Sequence, residues 1–104
     1  MDTGWLSVVD DGLIEDGDVL GFEVERKKIA VYFVNGKYHA TSDLCTHAAG
    51  RLSEGYFDGR TIECPIHQGC FNICTGKALG SPVVKDISVY KTRVKDGKVQ
   101  ILLD

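Results

Sequence analysis

Apolar residues come in short runs, either alternating or β-branched, separated by turn-forming pairs, and no stretch sustains the 3.6-residue repeat of an amphipathic helix. Residues 5–9 (Trp5-Leu6-Ser7-Val8-Val9) predict a short opening strand with Trp5 in the core. Residues 10–17 are rich in turn formers. Residues 19–24 alternate and predict a half-buried strand with Leu20, Phe22 and Val24 on one face. The β-branched and aromatic run 29–34 is followed by Asn35-Gly36 and then Lys37-Tyr38-His39-Ala40. Asn-Gly between two such runs predicts a hairpin, because a two-residue turn there needs φ > 0 at both positions. His39 lies in this hairpin and is expected to be a surface or packing residue.

A second hairpin is predicted from 56–57 to 62–63 through Asp58-Gly59, and a third from 87–94 to 98–102 through Asp96-Gly97. Residues 68–74 lead back into β structure. There is no internal repeat or low-complexity tract. The expected fold is all-β: an antiparallel β-sandwich framework with a small loop-rich part at about 42–82, together forming a single domain over residues 1–104.

Two pairs stand out in the loop-rich part. One reads Cys45-Thr46-His47, the other Cys64-Pro65-Ile66-His67, and Gly50 and Gly69 follow just beyond them. Each pair offers a thiolate and an imidazole, so Cys45, His47, Cys64 and His67 form a symmetric two-sulfur, two-nitrogen ligand set. A structural zinc takes Cys₂His₂, but zinc fingers usually keep like ligands together, as C-x₂₋₄-C followed by H-x₃₋₅-H. Mixed pairs suit a [2Fe–2S] centre in which two His replace two Cys on one iron. A zinc module for protein interaction is the alternative, and it predicts a colourless protein.

The pairs CTH and CPIH, the downstream Gly76-Lys77 and the Pro82 loop resemble Rieske-type ferredoxins. Among these the chain is most similar to the ferredoxin components of bacterial aromatic-ring-hydroxylating dioxygenases of the naphthalene and biphenyl type. The resemblance runs from Trp5 to Leu103 and implies a Rieske fold with one Rieske [2Fe–2S] cluster. It also implies a one-electron carrier, itself not an enzyme, between a flavin-containing NAD(P)H-dependent ferredoxin reductase and a terminal oxygenase component. His47 and His67 would sit at an exposed tip beside Ala48 and Ala49, and the Pro82 loop would pack beside the cluster. A Rieske subunit of another reductase or oxygenase, such as a nitrite reductase small subunit, is the alternative role.

Respiratory Rieske proteins brace their two loops with a disulfide; the matching positions here are Gly50 and Ile66, so that brace is absent. The Ser and Tyr hydroxyls that high-potential members place near the second loop match Gly69 and Phe71. Backbone N–H groups are then the main donors to sulfur, and the expected midpoint lies low in the Rieske range, at about −150 mV. Cys70 and Cys74 are expected to be small buried residues under the cluster loop. A disulfide between them is disfavoured in a reducing compartment.

The 104 residues, 43% hydrophobic, suit one compact unit with a modest core. Net charge is −3, and the first 25 residues hold eight acids with no Lys or Arg. No basic stripe with interleaved aromatics appears, which argues against nucleic-acid binding. An acidic face could steer a basic partner; solvated acids in turns account for the pattern equally well. No stretch approaches the ~20 apolar residues of a membrane helix, and the start lacks a secretory signal. A cytoplasmic protein with no membrane association is expected.

Overall fold

The computed structural model describes residues 4–45, 50–66, 69–79 and 85–103. Among the described residues nine strands run in the order β1 (Trp5–Asp10), β2 (Asp18–Val24), β3 (Lys27–Val34), β4 (Lys37–Ser42), β5 (Tyr56–Phe57), β6 (Thr61–Glu63), β7 (Cys70–Asn72), β8 (Val89–Lys95) and β9 (Lys98–Leu102). One 3₁₀ turn, Leu52–Glu54, precedes β5. A six-stranded sheet has the order β1-β9-β8-β4-β3-β2, and a smaller sheet has β5-β6-β7. All pairings are antiparallel.

The large sheet curls until its two halves face each other. They join where Ala40 pairs with Tyr90 and Thr41 with Val89. Val9, Val99 and Ile101 from one half meet Ile29, Val31 and Ala40 from the other, with Ile14 from the connecting loop. A second core lies on the opposite face of β3, where Ala30 and Tyr32 pack with Leu52, Ile62, Phe71, Ile73, Ile87 and the two cysteines Cys45 and Cys64. β3 is therefore buried on both faces: Ile29 and Val31 point into one core, Ala30 and Tyr32 into the other, all fully covered. This is why its sequence reads as a continuous apolar run rather than an alternating one.

The Tyr32 ring meets the Phe57 ring at 5.0 Å between centroids, tying the small sheet to the framework. Its hydroxyl is satisfied by Thr41 Oγ1 at 2.9 Å. Burial holds the Tyr32 phenol far above the ordinary tyrosine range, so this pair stays neutral.

The Asn35-Gly36 and Asp96-Gly97 turns have the expected left-handed geometry at both residues. β2 departs from its predicted face. Phe22 does pack into the framework core, but Leu20 is 40% exposed and Val19, on the other face, packs against the second core. The small sheet and its loops cover that other face, which an isolated alternation cannot reveal. Trp5 is half-buried rather than central, with the Arg93 guanidinium 4.2 Å above its ring.

Candidate metal centre

Cys45 lies just past β4, and Cys64 just past β6 at the end of the second hairpin, as expected. Each begins a loop closed at its neck by a backbone bond. Cys45 N–H donates to Gly50 O at 3.0 Å, and Cys64 N–H donates to Gly69 O at 2.7 Å. An isolated bridge between Leu44 and Arg51 seals the first neck one residue further out.

The hairpin that delivers Cys64 is held by a side chain rather than by the turn alone. Asp58 Oδ1 accepts from Arg60 N–H at 2.9 Å and Thr61 N–H at 2.7 Å, and Oδ2 accepts from the Thr61 hydroxyl. The Thr61 and Arg60 donors hold the Asp58 carboxyl below the usual carboxylate range.

Both thiols are buried, Cys45 at 6% and Cys64 at 0% exposure. Burial pushes the Cys64 thiol above the ordinary cysteine value, and the adjoining Cys45 sulfur adds to that. The Ile66 N–H, which donates to Cys64 Sγ, acts the other way. A β-carbon on Gly50 would stand 2.8 Å from Cys64 Sγ and 3.2 Å from Ile66 Cδ1. The two loops thus touch where a disulfide brace would have sat, through a glycine and an isoleucine. Two buried sulfurs side by side, with a backbone donor aimed at one, suit thiolate ligands to a metal that neutralises them. The set fits an iron–sulfur group on the sulfur side. His47 and His67 lie outside the described residues, as do Ala48, Ala49 and the Pro82 loop.

A buried carboxylate that the sequence reading did not single out organises the first loop. Asp43 is fully buried. Its carboxylate accepts from Ser53 N–H at 2.6 Å, the Ser53 hydroxyl at 2.8 Å and Arg51 Nε at 3.0 Å. Its backbone N–H donates to Lys28 O, and its carbonyl accepts from Leu52 N–H. Gly21 of β2 makes room for this knot, since a β-carbon there would stand 2.5 Å from Ser53 Oγ and 2.8 Å from Asp43 Oδ2. The available sequence signal was an acid between the end of a strand and Cys45, with its partners eight and ten residues on.

The remaining cysteines require a correction. Cys74 is exposed rather than buried, and Cys70 is only half-buried; neither is in a disulfide. Cys70 stands opposite Glu63 in the β6–β7 register, and burial, then the Glu63 and Asp58 charges, raise its thiol above the ordinary value. Cys74 Sγ lies 3.8 Å from His39 Nδ1, so His39 faces the start of the turn after β7 rather than open solvent.

The Rieske [2Fe-2S] domain family matches residues 4–91. The chain is 48% identical over 101 residues to the ferredoxin component of the naphthalene 1,2-dioxygenase system of Pseudomonas putida, covering 97% of both. Its fold is similar, with a TM-score of 0.89 and 38% identity, to a chain in a complex of reduced oxygenase and oxidized ferredoxin in carbazole 1,9a-dioxygenase, covering 97% of this chain and 94% of that one. It is also similar to the Sphingomonas yanoikuyae B1 ferredoxin, with a TM-score of 0.88 and 36% identity over 95% of this chain and 98% of that one. With buried paired sulfurs, an all-β frame and these likenesses in agreement, the chain belongs to the Rieske [2Fe-2S] family, among the ferredoxin components of aromatic-ring dioxygenase systems.

Proposed function

We propose that Cys45, His47, Cys64 and His67 are the four ligands of the cluster, within one Rieske domain over 1–104 whose cluster-binding part spans about 42–82. The observation that carries this is the meeting of the Cys45 and Cys64 sulfurs at the ends of two separate loops, both buried, with the Cys64 sulfur in van der Waals reach of Gly50. When bound, the cluster supplies a one-electron couple, made easier to reduce than an all-cysteine centre by imidazole on one iron. The protein's part is positional. The Asp58-braced hairpin sets where Cys64 stands, the Asp43 knot sets the neck of the Cys45 loop, and both cysteines lie in the dry cluster that holds Phe71 and Leu52.

In this reading the protein accepts single electrons from a flavin-containing NAD(P)H-dependent reductase. It delivers them to the terminal oxygenase component of an aromatic-ring dioxygenase system, in the cytoplasm. Support comes from the relative of known structure that is seen in complex with an oxygenase. Among the described residues no helix is long and apolar enough to cross a membrane. The test is reconstitution: reductase, NADH or NADPH, this protein and a terminal oxygenase. Hydroxylation of an aromatic substrate that requires all four is expected. Equal turnover with this protein omitted would overturn the assignment.

A further inference from the structure

Three two-residue hairpin turns put both central residues at positive φ: Asn35-Gly36 (53° and 77°), Asp96-Gly97 (54° and 74°) and Glu25-Arg26 (51° and 69°). The first two use residues that tolerate the left-handed region, and the third uses two long charged side chains that do not. The first two pack against the 10–17 loop: Asn35 N–H donates to Asp16 Oδ1, and Asp11 N–H donates to Gly97 O. Glu25-Arg26 lies at the opposite end of β3, where Lys28 O accepts from Asp43 N–H at the neck of the Cys45 loop. Among the described hairpin turns this local rule is thus broken at the one on the Cys45 side of β3, and strain of this kind clusters at functional sites.

Beside that turn, Arg26, Lys27, Lys28, Ser42, Leu44 and Tyr90 line a groove of about 270 Å³. Among the described residues no carboxylate lines it. Arg26, Lys27 and Lys28 are exposed, and none of them forms an ion pair among the described residues, although Glu23 lies directly opposite Lys28 in the β2–β3 register. The groove is cationic in a chain whose net charge is −3. Its apolar member, Leu44, is 44% exposed and is the residue before Cys45. An exposed aliphatic side chain rimmed by unpaired cations is the anatomy of a small, charge-guided interface.

We propose that this groove docks a carboxylate-rich surface of the terminal oxygenase and holds it against the Cys45 end of the molecule; the inference rests on the electron-carrier reading above. The cations set encounter rate and register, and Leu44 gives the contact its dry centre.

The test uses the cluster-loaded full chain, reduced and mixed in stopped flow with the purified oxidised oxygenase component of a naphthalene 1,2-dioxygenase system over a range of salt. For the native chain, the second-order rate of oxidation should fall steeply as salt rises. The variant Arg26→Ala/Lys27→Ala/Lys28→Ala should lose about tenfold of that rate at low salt and most of its salt dependence. Its limiting rate at saturating oxygenase and its reduced spectrum should be unchanged. A second variant, Glu25→Asn/Arg26→Gly, keeps net charge and relieves the turn, so it should melt higher than the native chain yet react more slowly with the oxygenase. Rates within twofold of native for the triple variant, or a loss confined to electron uptake from the reductase, would overturn the proposal. If the native chain reduces no oxygenase at all, the carrier reading falls first and takes this inference with it.

Discussion

Gly50 and Cys64 stand so close across the two loops that a β-carbon on the glycine would lie 2.8 Å from the sulfur. Real β-carbons do not approach that near, and the cysteine sits in a close-packed buried cluster with Leu52, Ile62 and Phe71, all at 0% exposure, which resists its moving aside. Relief would have to come from the loop itself. Gly50→Ala should therefore cost about 1–3 kcal/mol of overpacking, concentrated at the sulfur. Iron and sulfide analysis of freshly purified variant should give less than the native cluster content. Full occupancy with an unchanged visible spectrum would mean the loops meet differently.

Asp43 should matter more to stability than its single charge suggests. Asp43→Ala strands the Ser53 N–H, the Ser53 hydroxyl and the Arg51 Nε that now converge on one fully buried carboxylate. Because Arg51 is 37% exposed, its share is screened, and the total loss is about 2–3 kcal/mol. Denaturant unfolding checks this. Asp43→Asn keeps an acceptor and should lose less than the alanine variant; an alanine variant as stable as the native chain would contradict the account.

These residues mark where the sequence was legible and where it was not. Local signals worked for turns: Asn35-Gly36 and Asp96-Gly97 announce theirs, whereas the burial of β3 on both faces was not read, because it depends on what packs around the strand. Glu25-Arg26 went unread because neither residue signals a left-handed backbone. Asp43 went unread because its partners come from beyond the loop it closes, and Gly21 because the groups it makes room for are over twenty residues away. Cys74 was expected to be buried on the strength of its residue type; the turn after β7 carries it outward, where it meets His39 from a strand 35 residues earlier. The placing of Cys45 and Cys64 at the necks of two loops was readable from short spacing and turn signals, whereas the side chains around them come from distant strands.

Acid should weaken the fold through His39. Partial burial, and then the Lys37 charge, hold its imidazole below the ordinary histidine value. A base whose folded pKa is depressed contributes its stability in full above the unfolded value of about 6.5, and that contribution is lost as pH falls below it. Unfolding measured at pH 8 and pH 5.5 should show a drop that is smaller in His39→Gln. An equal drop in both would assign the acid sensitivity elsewhere.

The cluster potential should lie low in the Rieske range, at about −150 mV. Gly69 and Phe71 bring no hydroxyl to the second loop, and the donor to Cys64 Sγ among the described residues is the Ile66 backbone N–H. Fewer donors leave more of the reduced centre's negative charge uncompensated. Redox titration followed by visible circular dichroism reads the midpoint directly, and a value above about +100 mV would contradict this account of the sulfur environment.

The central claim, that two loops hold an iron–sulfur centre through one sulfur and one nitrogen each, is tested most directly by EPR of the dithionite-reduced protein with iron and acid-labile sulfide counted on the same sample. The account predicts two irons, two sulfides and a rhombic signal of low average g that is lost when His47 or His67 is replaced by alanine. A colourless, EPR-silent protein containing one zinc and no sulfide would contradict it.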